Sequence, residues 1–185
     1  MIDYERLRRN RKPKTIKLLL LAISPPVPWD GHEPFFYNEA DMPAFGLFQA
    51  TMRALYPDRW LSIKKELLDQ LQNDSGFYLI DASSIPLKGD VKDELEKIRQ
   101  DGSVLDSIRQ LAEDGSFADF QIRLVIIGKK MHRIFYRYLD GAKLDTSKGH
   151  FVVSVVNDKP IPFPKTKRLT DQFVRDLSQM AASID

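Results

Sequence analysis

The sequence predicts a three-layer α/β/α domain around a central, mainly parallel four-stranded sheet, and three observations predict it. Four short runs, at residues 16–23, 77–80, 123–127 and 151–156, are almost wholly apolar, as strands buried on both faces are. Between them lie longer segments whose apolar residues recur every three or four positions, the spacing of helices that cover a sheet. The runs also end in prolines, small polar residues or glycine, which stop a ladder and place a loop at the carboxyl end of each strand.

The first run, Ile16 to Ile23, is followed by Ser24-Pro25-Pro26-Val27-Pro28-Trp29-Asp30-Gly31-His32-Glu33-Pro34-Phe35-Phe36-Tyr37-Asn38. Four prolines forbid helix and ladder alike, so the chain leaves the sheet on a stiff, extended path. In open α/β sheets ligands bind outside the carboxyl ends of strands, and this loop carries stacking and hydrogen-bonding groups there. The alternative is a crossover whose aromatics cover the sheet edge. Residues 40–56 then show Phe45, Phe48, Met52 and Leu55 at helical spacing, and Trp60, Ile63, Leu67, Leu68 and Leu71 suggest a second helix that stops near Gly76.

The second run ends in Asp81-Ala82-Ser83-Ser84-Ile85-Pro86. A carboxylate at the end of a buried strand is costly to desolvate unless hydrogen bonds or a ligand engage it. Asp81 is therefore a candidate site residue, or else a cap for the following turn. Residues 88–117 read as one or two helices with Leu95, Ile98, Leu105, Ile108 and Leu111 inward.

The third run ends in Gly128-Lys129-Lys130, a tight turn into a helix carrying Met131, Ile134, Phe135 and Tyr138. Lys129, Lys130, His132, Arg133 and Arg137 make this helix basic; they are an anion-binding cluster or a solvated face. The fourth run leads into Asn157-Asp158-Lys159-Pro160-Ile161-Pro162-Phe163-Pro164-Lys165-Thr166-Lys167-Arg168. An apolar residue between prolines, with cations directly after it, suits insertion into a duplex groove; alternatively it is a turn that positions the last helix. That helix is expected from Thr170, as N-cap, to Ile184, with Phe173, Val174, Leu177 and Met180 inward.

Whole-chain numbers bound the function. One domain spanning 1–185 is the expectation for 185 residues, and 43% hydrophobic with 29% charged residues is a globular composition. Arg6, Arg8, Arg9, Arg11, Lys12 and Lys14 make residues 1–14 a basic arm, expected to be solvated and poorly ordered. The net charge of +2 supplies no global field, so any polyanion must be met by local clusters. Without cysteine there is no disulfide, thiolate metal site or cysteine nucleophile. No metal or cofactor is expected, because P-loop, zincin, serine-elbow and dinucleotide fingerprints are missing. The first apolar run is too short to cross a bilayer and no cleavage site follows it, so a cytoplasmic protein without membrane contact is expected.

The order of these motifs resembles the uracil-DNA glycosylase-like superfamily across residues 16–168. The resemblance implies that Ser24-Pro25-Pro26 stands at the water-activating loop, Phe36, with Tyr37 beside it, at the base-stacking position and Asp81 at the base-reading position. Pro162-Phe163-Pro164 falls on the loop that presses into the minor groove, and Lys165, Lys167 and Arg168 are expected on phosphates. It further implies DNA or a nucleobase-containing ligand as partner, and N-glycosidic bond hydrolysis without metal as the reaction. Asp81 stands in place of an amide, and two further positions depart from the catalytic pattern: Ser24 replaces an Asp, Asn or Glu, and Ile161 replaces a His. Losing both should weaken the hydrolytic chemistry, leaving His32 and Glu33 as replacement catalytic groups or the chain as a non-catalytic binding module. As a site, Phe36, Asp81 and Phe163 are expected to share one pocket.

Overall fold

A computed structural model describes residues 3–28, 35–39 and 46–183. Its first strand, β1 (Leu18–Ala22), is buried at every position, as its unbroken apolar run requires. β2 (Phe77–Asp81), β3 (Gln121–Ile126) and β5 (Gly149–Val155) run parallel to it. The sheet order is β2-β1-β3-β5-β4. The expected α/β architecture is observed, with five strands in place of four.

The additional strand, β4 (Lys143–Thr146), pairs antiparallel with β5. Of its four residues only Leu144 is buried, so it carries no apolar run for a sequence reading to find. Lys143 and Asp145 are exposed on this edge strand, where charge discourages pairing with another chain.

Right-handed crossovers put connections that run in opposite directions along the sheet on opposite faces. The β1-to-β2 crossover holds α2 (Leu47–Leu55) and α3 (Lys64–Gln70), which widens into one π-type turn at Leu71–Ser75. Gly76 ends that turn in the left-handed region at φ 67°, which favours glycine. The other face receives α4 (Lys92–Asp101) and α5 (Ser103–Glu113) between β2 and β3, then α6 (Lys129–Leu139) between β3 and the hairpin. α4 packs against α5 and α6, whereas α7 (Lys167–Ala182) packs against α2. Three layers result.

Two boundaries differ instructively from expectation. α7 starts four residues early, because Thr166 rather than Thr170 is its N-cap and accepts from the Leu169 N–H at 3.4 Å. The helix expected over 40–56 is observed as Leu47–Leu55, and residues 40–45 lie outside the described set.

The larger correction concerns the basic N-terminus. Residues expected as a solvated arm form α1 (Tyr4–Asn10), with Asp3 accepting from the Arg6 N–H at 2.9 Å and Glu5 in the first turn. Tyr4 packs edge-on to Phe35 at 4.9 Å, and the Tyr78 hydroxyl donates to the Arg8 carbonyl at 3.2 Å. Arg11 bridges Glu39 and Asp69, and Gln72 donates to the Asn10 carbonyl at 3.1 Å. What decides the docking is acids waiting on the body of the protein for these arginines, not the helix's own propensity.

Candidate functional site at the carboxyl edge of the sheet

β1 has β2 on one side and β3 on the other, so chain order reverses at β1. Such a switch point opens a crevice beyond the carboxyl ends of the strands. Here the ladder continues past those ends and ties the exits together. The Ala82 and Ser83 amides donate to the Ala22 and Ile23 carbonyls at 2.9 and 3.0 Å. On the other side, the Ile127 amide donates to Leu21 at 2.9 Å, and the Gly128 amide donates to Ile161 at 2.8 Å. Gly128, at φ 97°, sits in backbone territory that favours glycine; from it the chain turns straight into α6.

The late loop is held at this edge by a side chain that sequence reasoning missed. Asn157 is buried, and its amide accepts from the Ile126 N–H at 2.9 Å while donating to the Ile126 carbonyl at 3.0 Å and to Lys159 at 3.2 Å. It substitutes for a ladder step as β5 diverges, before the chain returns to bridge Ile127 with Ile161. His132 Nε2 lies 2.8 Å from the Asn157 carbonyl; a carbonyl only accepts, so that nitrogen carries the proton. The available signal was an amide directly after a β-branched strand and before a proline loop.

Beyond this anchor, Ile161, Pro162 and Pro164 are buried and Phe163 is half-buried. Ile161, at the position where the resemblance implies a histidine, is thus a core residue. Lys165, Lys167 and Arg168 are exposed and take part in no ion pair among the described residues. Lys165 Nζ stands 6.0 Å from the centre of the Phe163 ring. Lys167 and Arg168 border a shallow groove of about 520 Å³ along α7, with Asp171, Gln172 and Arg175; Asp171 there pairs with Arg53 at 3.4 Å.

The other predicted residues are engaged differently. The Ser24 hydroxyl donates to the Pro25 carbonyl at 3.1 Å and accepts from the Leu87 N–H at 3.3 Å. It joins the β1 and β2 exits and has backbone partners instead of a base. Pro25 is buried and Pro26 exposed. Phe36 and Tyr37 are core residues: Phe36 stands edge-on to Tyr37 at 4.9 Å and to Phe48 at 5.2 Å. The Tyr37 hydroxyl accepts from the Leu79 N–H at 2.7 Å and donates to its carbonyl at 3.2 Å. It caps the outer edge of β2, an edge that would otherwise offer an unpaired N–H and C=O. Burial drives its hydroxyl pKa well up. Rings held this way have no free face for a base, so the stacking role expected of them is corrected to a core role. His32 and Glu33 lie outside the described residues.

Asp81 ends β2 almost fully buried, and its Oδ2 accepts from Arg8 Nη2 at 2.8 Å. Glu5 pairs with the same guanidinium. Burial pushes the Asp81 carboxyl up to about 6, with Arg8 offsetting part of that rise. Both acids hold Arg8 in its charged form against the cost of its burial, while its Nε is buried with no hydrogen-bond partner among the described residues. The pair lies at the head of a groove of about 850 Å³ between α1, β2 and α5, lined also by Ser83, Ser84, Ser107 and Gln110. Neither Phe36 nor Phe163 lines it. The groove at Asp81 therefore leaves out the other two residues of the expected pocket: Phe36 is packed against Tyr37 and Phe48, and α1 supplies Asp81 with its partner.

Among the described residues no cluster of His, Cys, Asp or Glu could hold a metal ion, and no helix is long and apolar enough to cross a membrane. No protein-family model matches the chain, and no curated protein matches it.

Proposed function

We propose that this protein binds nucleic acid at the carboxyl edge of its sheet, through the loop after β5 and the start of α7. One observation carries the reading: a proline-stiffened segment bearing Phe163 is fastened to the switch point through Gly128 and Ile161, and three exposed cations follow it with no ion pair among the described residues. Fixed apolar groups flanked by cations suit a groove or an unstacked base, while the phosphates supply most of the affinity. The resemblance of the motif order to uracil-DNA glycosylase-like proteins points the same way.

A binding role is favoured over hydrolysis by the engagement of Ser24 with backbone and of Asp81 with Arg8. Hydrolysis of an N-glycosidic bond would depend on His32 or Glu33 to position water. The test measures binding and abasic-site formation together, on duplex and single-stranded DNAs carrying uracil, hypoxanthine or alkylated bases. Salt-sensitive binding that weakens in Lys165→Gln/Lys167→Gln/Arg168→Gln is the expected result. Abasic sites that disappear in His32→Ala would make the protein a glycosylase, and binding indifferent to both salt and the triple variant would overturn the proposal.

A further inference from the structure

The basic helix α6 is left unexplained by that interface. Its inner face, Met131, His132, Phe135 and Leu139, is buried. Lys129, Arg133 and Arg137 are exposed on the outer face. Four residues advance a helix by about 6 Å, so these three cations form a row down one side. Like charges at this spacing repel, which costs the helix some stability. Two acids that flank the helix are engaged elsewhere: Asp90 pairs with Lys130 at 2.7 Å, and Asp140 accepts from the Val155 N–H at 3.0 Å. Among the described residues none of the three makes an ion pair or side-chain hydrogen bond.

The position of the row gives it a direction. α6 begins at Gly128, the residue whose amide holds Ile161 of the late loop. α7 lies on the opposite face of the sheet, so Lys129 at the head of α6 and Lys167 and Arg168 at the head of α7 flank the carboxyl edge. None of the large exposed apolar side chains, Leu61, Ile63, Ile85, Phe120 and Val152, belongs to α6. A helix that lies in a lipid surface needs an apolar face to bury there, and the apolar face of α6 is already spent on the sheet.

We infer that Lys129, Arg133 and Arg137 form a track for a phosphodiester backbone, extending the carboxyl-edge interface down the outer face of α6. The inference rests on the nucleic-acid reading above and adds the path that the backbone takes. Each phosphate neutralised contributes about 0.9 to the slope of log affinity against log salt on duplex DNA. A three-phosphate track therefore contributes about 2.7.

The experiment titrates a short fluorescent DNA duplex with the full chain at several salt concentrations. It compares wild type, Lys129→Gln/Arg133→Gln/Arg137→Gln, and a control, Lys143→Gln/Lys148→Gln, on the β4–β5 hairpin. The expected result is a slope shallower by about 2.7 in the α6 variant and unchanged in the control, with Arg133→Lys/Arg137→Lys keeping the wild-type slope. An α6 variant that keeps both slope and affinity while wild type binds would overturn the track and leave the carboxyl-edge reading intact. Equal weakening in the hairpin control would reduce the effect to overall charge and also overturn it. Wild type that fails to bind DNA removes both readings together. Sedimentation with phosphatidylserine vesicles that is lost in the α6 variant would reassign the row to a lipid surface.

Discussion

The two ends of the carboxyl edge handle charge in opposite ways. At the β2 end, Arg8 of α1 pairs with both Asp81 and Glu5, and the side chains of Arg8 and Asp81 are only 7% and 3% exposed. At the β5 end, Lys165, Lys167 and Arg168 stand in solvent and make no ion pair among the described residues. Buried charge must be matched inside the protein because desolvation is otherwise prohibitive, whereas exposed charge costs little to leave unmatched and remains available to a partner. The comparison separates a charge cluster that holds the structure together from one available for binding, although both lie beyond strand ends and both look equally chemical in sequence.

The largest effect should come from breaking the closed end. Arg8→Met leaves Asp81 buried without its partner and should destabilise the protein by about 3–5 kcal/mol, read by urea unfolding. Arg8→Met/Asp81→Leu should recover most of that loss, since apolar residues of similar volume replace buried pairs well. A cost of Arg8→Met below about 1 kcal/mol, the range of exposed pairs, would show that α1 does not seal this end.

Asn157→Ala comes next and touches the other end. It leaves the Ile126 N–H and carbonyl buried without partners, which should cost about 2–3 kcal/mol. The variant should also weaken DNA binding, because the late loop loses its anchor. Stability lost with affinity retained would detach the loop from the interface.

The closed end should also respond to pH in an uncommon direction. The Asp81 carboxyl is held at about 6 in the folded protein against an ordinary value near 3.8, so folding favours its proton. Its contribution to stability is full below about pH 4 and is lost as pH rises through about 6. Asp69, Asp90, Glu113 and Asp114, all held below their ordinary values, act in the opposite sense. The Asp81 part is isolated by comparing melting temperatures of wild type and Asp81→Asn at about pH 5 and about pH 7.5. Wild type should gain relative to Asp81→Asn at the lower pH, and a gain at the higher pH would mean that Arg8 outweighs burial.

Much of the architecture was legible because fully buried strands and amphipathic helices write strong patterns. β1, β2, β3 and β5 follow their apolar runs closely, and α6 follows its three-and-four spacing. What escaped was long-range pairing. Arg8 and Asp81 are 73 residues apart, and nothing local in the chain says that one will cover the other. Tyr37 likewise meets Leu79 across 42 residues, so its burial at a sheet edge was one of two readings that composition left open. β4 was invisible for the opposite reason: Lys143 and Asp145 are exposed on either side of Leu144, and it exists because β5 offers it an edge.

The smallest expected change in stability is the most discriminating for function. Lys165→Gln/Lys167→Gln/Arg168→Gln removes three exposed charges that make no ion pair among the described residues, so unfolding free energy should move by no more than about 0.5 kcal/mol. Because these groups are solvated, whatever they do for the folded protein alone is screened by salt. DNA affinity should nevertheless fall, with the salt slope shallower by up to about 2.7 if each cation meets one phosphate. Urea unfolding and DNA titration of the same preparation therefore bear on the contrast directly. A triple variant that lost more than about 1 kcal/mol would place these cations with Arg8 as structural charges, and the open end of the sheet would no longer differ in kind from the closed one.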